Sequence, residues 1–213
     1  MFYVCSRYNI IIENCKVLNL LLLLIYMKHR IFVAINLPEK VKKTLLNYQT
    51  KLPDFPIKWT KKENMHITLV FIGLVKDENI PKICEAVKRA CAQYKSFKIN
   101  LNEISYGPPQ KLPPRMIWAR GEQSDELVNL KTGLEKYLIE SEVGFIEDNK
   151  KFHTHVTLGR IRTWEWKRIE PEERPEIVEE TDLDFEVNSI EVMESTLKRT
   201  GAEYDQLLSV KLS

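Results

Sequence analysis

The tetrapeptide His66-Ile67-Thr68-Leu69 recurs later in the chain as His155-Val156-Thr157-Leu158. Each copy lies in a run of β-forming residues. Alternate side chains of a strand share a face. His66 and Thr68 therefore point one way and Ile67 and Leu69 the other, and His155 and Thr157 part in the same manner from Val156 and Leu158. The apolar face suits burial, and the other face carries an imidazole beside a hydroxyl. Two such strands brought together surround one point with two imidazoles and two hydroxyls. That set suits phosphodiester chemistry, in which one group takes a proton, a second gives one, and donors hold the phosphate. Histidine serves either role because its pKa of roughly 6.5 leaves both forms accessible near neutral pH. A single His-x-Thr is a weak signal. Two copies in a chain with 4 histidines are hard to obtain by accident.

The elements that must position these copies are legible from periodicity. Ile31 to Ile35 reads as a strand and Leu37-Pro38-Glu39 as a break before a helix with Val41, Leu45 and Tyr48 on its inner face. Leu52 to Pro56 forms a turn. Ile57 to Thr60 is a short strand, and Met65 to Ile72 is the first motif strand, stopped by Gly73. A helix is expected over Asp77 to Tyr94 with Pro81 in its first turn. Strands follow at Phe97 to Ser105 and Arg115 to Arg120, on either side of a proline-rich loop. Ser124-Asp125 caps a helix that runs to about Ser141. Gly144 to Lys150 is a loop, Phe152 to Ile161 is the second motif strand, and Thr163 to Arg168 forms a helical turn. Pro171 to Thr181 is a charged loop, and Leu183 to Glu194 and Tyr204 to Leu212 are the closing strands. Helices between antiparallel strands, twice over, predict an α+β fold of two similar lobes. Each lobe is an antiparallel sheet with its helices outside, related by a pseudo-twofold, and the motifs face each other across a groove between lobes.

At 213 residues, 44% hydrophobic and 29% charged, the composition is that of a soluble globular protein of one domain or two small lobes. The net charge of +2 neither demands nor excludes a polyanionic partner. Lys40 to Lys62 is lysine-rich and reads as solvated surface or as a basic flank for RNA phosphates. Glu170 to Glu186 is acidic. The 4 cysteines do not form a disulfide framework. Cys84 and Cys91, two turns apart on one helix, are too far apart to bridge. Reduced cysteines imply a cytoplasmic protein. Residues 1–26 differ from the rest. The apolar run Val17 to Tyr26 is too short to span a bilayer, and Glu13 argues against a signal peptide. The readings are a dispensable extension ahead of Met27, which is favoured, an anchor or signal, and a packed helix. The domain is thus expected over 27–213.

From about Met27 to Leu212 the sequence resembles the two-histidine phosphoesterases, and among them the RNA 2′,3′-cyclic phosphodiesterases, also called 2′-5′ RNA ligases. Arg30 to Ile35 resembles the family's opening strand. Trp59 with Asn64 to Leu69 resembles the first motif and its approach. Arg115 to Trp118 resembles the strand after the proline loop, and Phe152 with His155 to Arg160 the second motif. Met193-Glu194-Ser195 with Gly201 and Tyr204 resembles the closing hairpin. Thr154 stands where the family usually has proline, and His153 is unusual at its place. The resemblance implies hydrolysis of the 2′,3′-cyclic phosphate of an RNA or nucleotide end to a 2′-phosphate, with 2′-5′ ligation as the reverse of related chemistry. It implies His66 as proton donor, His155 as proton acceptor and Arg160 as a phosphate contact. The residues alone do not set that polarity. Thr68 and Thr157 supply hydroxyl donors to the phosphate. Phe152 either stacks on a base or packs in the core. No metal or cofactor is called for, although His153 and His155 form an H-x-H pair. His29 is expected at the surface. The partners expected are an RNA or nucleotide with a cyclic phosphate end and no membrane, for a monomeric chain. The rival class is a nucleotide- or RNA-binding module without turnover.

Overall fold

The computed structural model describes residues 3–5, 10–12, 28–52, 55–147, 151–199 and 201–213. Of the N-terminal stretch, β1 (Tyr3–Cys5) and β2 (Ile10–Ile12) pair with each other in a ladder of their own. The run Val17 to Tyr26 lies outside the described residues. Among the described residues no helix is long and apolar enough to cross a membrane.

The rest is built from β3 (Lys28–Asn36), α1 (Glu39–Gln49), β4 (Ile57–Trp59), β5 (His66–Lys76), α2 (Ile80–Cys91), β6 (Phe97–Gly107), β7 (Met116–Gly121), α3 (Asp125–Glu140), β8 (His155–Ile161), α4 (Thr163–Trp166), β9 (Val178–Val187), β10 (Ser189–Lys198) and β11 (Gly201–Lys211). The helices start and stop as their sequences require. Pro81 occupies the first turn of α2. The Ser124 hydroxyl accepts the Leu127 N–H at 3.3 Å as the N-cap of α3, a contact that stabilises a helix by about 1 kcal/mol. Val41, Leu45 and Tyr48 of α1, Ile83, Val87 and Cys91 of α2, and Leu127, Leu130, Leu134 and Leu138 of α3 share one buried core with Ile67, Leu69, Val156 and Leu158. The helices thus cover the face of the sheet opposite the motif histidines. Burial pushes the Cys91 thiol up to about 12, and Cys84 and Cys91 are both unbridged.

The strands run in the order β11-β10-β3-β5-β8-β7-β6-β9, with β4 added against β8. The two lobes are the halves on either side of the β5–β8 contact, which consists of one residue pair, Ile67 opposite Val156. The motif strands, expected on facing sheets, are therefore neighbours in one sheet. The lobes also do not coincide with the repeat of element order along the chain. β10 and β11, last in sequence, complete the first motif's lobe, and β4 crosses to the second. The single strand expected over Leu183 to Glu194 is two. β9 pairs with β6 up to Val187, and after Asn188 the chain enters the other lobe as β10, beside β3. The buried residues switch parity there, from Phe185 and Val187 to Ile190 and Val192. β9 begins inside the expected charged loop. It is an edge strand, and its outward Glu and Asp residues protect an edge from pairing with other chains.

The strand exchange is anchored by a buried carboxylate. Glu191 of β10 is 3% exposed. It accepts the Asn36 N–H at 3.1 Å and the hydroxyls of Ser189 and Ser209 at 2.6 and 3.2 Å. These contacts tie β3, β10 and β11 together behind the first motif. Glu191→Ala orphans all three donors, and a buried unpaired donor costs about 1–3 kcal/mol. We expect a loss of stability of at least that order in urea denaturation, and an unchanged midpoint would refute the role given to Glu191.

Candidate active site

The pairing of Ile67 with Val156 centres the antiparallel register on the middle residues of the two motifs. His66 is thereby drawn toward Thr157, and Thr68 toward His155. All four side chains line one cavity of about 540 Å³. The two halves hold their imidazoles alike. His66 Nδ1 donates to the Asn64 carbonyl at 2.8 Å, and His155 Nδ1 donates to the His153 carbonyl at 2.7 Å. A carbonyl only accepts, so the proton of each neutral ring sits on Nδ1 and Nε2 is left to react. In the first half the Thr68 hydroxyl lies 3.0 Å from His66 Nε2 and donates to it when the ring is neutral.

Around each ring the environment differs. Trp118 of β7, opposite Thr157, stacks on His155 with centroids 3.8 Å apart. His66 packs against Phe32 at 5.0 Å and edge-on to Tyr204 at 5.2 Å. The Asn64 amide donates to the Ala202 carbonyl at 2.8 Å and fixes the closing hairpin beside His66. Burial holds both histidines below the ordinary value of 6.5, and the carbonyl bonds act against it. The Lys42 charge lowers His66 further. The charges of His153, His66 and Arg120 lower His155 further.

Arg160 reaches the same cavity although it lies an odd number of residues past Thr157. Between Thr157, opposite Trp118, and Gly159, opposite Ile117, Leu158 is a bulged extra residue. Leu158 and Gly159 are both buried, and Arg160 returns to the motif face. Gly159 is required by the close approach of β4, since a Cβ there would lie 2.5 Å from Ile57 and 2.8 Å from Trp59. Phe152 also lines the cavity, half-buried against the core with the Lys131 ammonium 5.8 Å from its ring centre.

The lysines of Lys40 to Lys62 do not line the cavity, whereas Lys131 and Lys151 do. His29 is not a free surface residue. It is half-buried and lies 2.6 Å from both Asp77 and Glu194, because β3 runs between the segments that carry them. Among the described residues no third His, Cys, Asp or Glu joins the H-x-H pair His153 and His155 in a metal-sized cluster. Phe71 and Lys131 also line the cavity, and no local sequence pattern marks them; Trp118 and Tyr204 do so too, marked in the sequence only by the family resemblance.

A family model described as LigT like phosphoesterase matches residues 35–118. The RNA 2′,3′-cyclic phosphodiesterase of Thermotoga maritima is 31% identical over 183 residues, which are 84% of this chain and 92% of that protein. The chain belongs to the LigT-like phosphoesterases. The RNA 2′,3′-cyclic phosphodiesterase of Aeropyrum pernix is 34% identical over 73% of this chain and 86% of its own length. Among solved structures, a Thermus thermophilus protein matches with a TM-score of 0.75 at 26% identity, over 86% of this chain and 97% of its own. Escherichia coli LigT complexed with 3′-AMP matches with a TM-score of 0.70 at 23% identity, over 88% of this chain and 99% of its own, and so shares the fold. Against the LigT-like pattern, the departures at His153 and Thr154 fall where backbone carbonyls make the structural contacts, although the His153 ring also lines the cavity. The His153 carbonyl holds His155, and the buried Thr154 accepts the Gly121 N–H at 3.0 Å.

Because burial disfavours the charged rings, protonating either histidine opposes folding. Stability contributed by the neutral rings is full above the unfolded value of about 6.5 and falls as pH drops from there through the folded values. In proton NMR both imidazoles should titrate below 6.5, and stability should decline over the same window. A titration of either ring above 6.5 in the free protein would contradict this account of the site. A second outcome concerns Gly107, where a Cβ would meet the Trp118 ring at 2.2 Å. Gly107→Ala should displace the indole and quench the chemical-shift perturbation it imposes on His155.

Proposed function

We propose that this protein hydrolyses the 2′,3′-cyclic phosphate of RNA or nucleotide ends to a 2′-phosphate, by acid–base catalysis between two histidines. The observation that carries the reading is the equivalent tethering of His66 and His155 through Nδ1, which leaves two reactive Nε2 atoms on one cavity. The Thermotoga maritima and Aeropyrum pernix relatives, each more than 30% identical, are both named RNA 2′,3′-cyclic phosphodiesterases. In the proposed step His155 Nε2 takes a proton from water and the water oxygen bonds to phosphorus. The bond from phosphorus to the 3′ oxygen breaks, and His66 Nε2–H protonates that oxygen. One histidine starts neutral and the other charged. Charge on His66 disfavours charge on His155, which favours a singly protonated pair. The Thr68 and Thr157 hydroxyls and the Arg160 guanidinium hold the non-bridging oxygens as negative charge builds. Phe152 closes the wall beside them. The polarity and the 2′ product rest on the family resemblance.

The reaction draws on no metal, since proton transfers alone open the strained ring. Ligation of a 2′-5′ bond would use the same residues in reverse, and dilute water favours hydrolysis. A binding module without turnover is the weaker reading, because both histidines and both hydroxyls reach one cavity. The reading includes a cytoplasmic monomer acting on RNA without a membrane. It is supported by the unpaired thiols of Cys84 and Cys91 and by both motifs being supplied by one chain.

His66→Ala and His155→Ala should each lower turnover of a 2′,3′-cyclic nucleotide by about a hundredfold to ten-thousandfold, the usual contribution of a general acid or base. Thr68→Ala and Thr157→Ala should lose less, each removing one of several donors. With free-enzyme values depressed by burial, the bell of kcat/KM against pH should have both limbs on the acid side of 6.5. EDTA should leave the rate unchanged, and phosphorus NMR should show the 2′-phosphate. Strict metal dependence would overturn the two-histidine mechanism, and a 3′-phosphate product would reverse the substrate's orientation.

A further inference from the structure

Across the ladder between β4 and β8, Lys58 stands directly opposite Arg160. Residues opposite each other in an antiparallel pair share a face, with Cβ atoms about 5 Å apart. The next pair, Ile57 with Ile161, is buried, whereas Lys58 and Arg160 are both exposed. Lys58 therefore stands on the motif face, as does Thr60 two residues on, which lines the cavity. The Lys58 ammonium extends past the end of the cavity toward the other lobe. A Cβ at Gly201, the first residue of β11, would lie 3.6 Å from it.

Two like charges placed directly opposite each other oppose folding. Among the described residues neither Lys58 nor Arg160 has a carboxylate within ion-pair distance, although lysines and arginines on either side do. The rest of the lysine-rich stretch is disposed differently. Lys51 pairs with Glu179 and Lys62 with Glu39. Lys40, Lys42 and Lys43 belong to α1, behind the sheet. Lys58 thus leaves a cation uncompensated beside the groove, and an arriving anion relieves its repulsion with Arg160.

We propose that Lys58 binds the phosphodiester on the 5′ side of the nucleotide that carries the cyclic phosphate, so that the preferred substrate is an RNA strand rather than a free cyclic nucleotide. This rests on the phosphodiesterase reading above. Arg160 stays with the cyclic phosphate, and Lys58, one strand outward, meets the next phosphate. Adjacent strands lie about 4.8 Å apart, and the flexible lysine stem extends that step to the spacing of successive phosphates on a single strand. An ammonium suits a phosphate that arrives from solvent, being a point charge with three rotatable donors. The contact positions the strand and reads no base.

The test compares adenosine 2′,3′-cyclic phosphate with and without a 5′-phosphate, using the full chain. The wild type should prefer the 5′-phosphorylated form in kcat/KM, and Lys58→Ala should shrink that preference by roughly threefold to tenfold, mainly through KM. On an RNA oligonucleotide with a cyclic phosphate end, the same variant should lower the slope of log(kcat/KM) against log salt by about 0.7, the release of one counterion. Lys58→Arg should keep both. Lys82→Ala removes the same charge from an exposed position on α2 and should leave the preference in place. An equal loss on both substrates in Lys58→Ala would overturn the proposal. So would an unchanged preference, or the same shrinkage in Lys82→Ala. Equilibrium binding of adenosine 2′,5′-bisphosphate against adenosine 2′-monophosphate separates this inference from the catalytic reading. A bisphosphate preference lost in Lys58→Ala, without turnover in the wild type, would uphold the subsite and overturn the hydrolase. Turnover with no 5′-phosphate preference would do the reverse.

Discussion

One backbone contact organises the molecule. Ile67 and Val156, middle residues of two tetrapeptides distant in sequence, lie opposite each other and join a four-stranded half and a five-stranded half into one sheet. Because the contact is antiparallel and centred on the motifs, each histidine is directed toward the other copy's threonine. Side-chain parity then puts the four polar groups on one face and Ile67, Leu69, Val156 and Leu158 in the core. A slip of one residue in either strand would send its imidazole and hydroxyl into the hydrophobic layer. The register that buries the apolar residues is therefore also the register that assembles the site.

The bulges at Leu69 and Leu158 extend this arrangement. Each follows its motif threonine directly, inserts one buried residue, and returns the chain to the groove with reversed parity. A regular strand would place Phe71 and Arg160 beneath the sheet. Strand exchange secures the two halves. β10 and β11 cross back to β3, and β4 crosses to β8, so each lobe is completed by chain from beyond its own motif. Glu191 fixes one crossing through three hydrogen bonds and Gly159 admits the other.

The electrostatics of the groove follow from the same geometry. Burial disfavours charge on both imidazoles, while the carbonyls of Asn64 and His153 orient the rings and partly offset that effect. Proximity makes two charged rings together less favourable than one. An anionic phosphate entering between them acts in the opposite sense and favours protonation. Such a site stays largely neutral when empty and gains a proton most readily when an anion is present.

Much of this was legible in the residues themselves. The paired His-x-Thr copies, their parity and the apolar stripes of three helices are local patterns of period two or 3.6. Local patterns survive whatever the rest of the chain does, so the α+β class, the two lobes and the four motif side chains could be read directly. What could not be read depended on partners distant in sequence. Arg160 lies on the groove only because β7 imposes a bulge on β8, and Phe71 only because β3 imposes one on β5. His29 is held by Asp77 and Glu194 because strands bring those carboxylates to it. The break at Asn188 did leave a trace, since the apolar parity shifts from Phe185 and Val187 to Ile190 and Val192. Parity says that a strand has turned over, and only the tertiary pairing decides which sheet edge it joins. The sequence by itself determined that two imidazoles and two hydroxyls share one face of their strands. Register, bulges and strand exchange, set by hydrogen bonding between distant segments, decided what stands beside them.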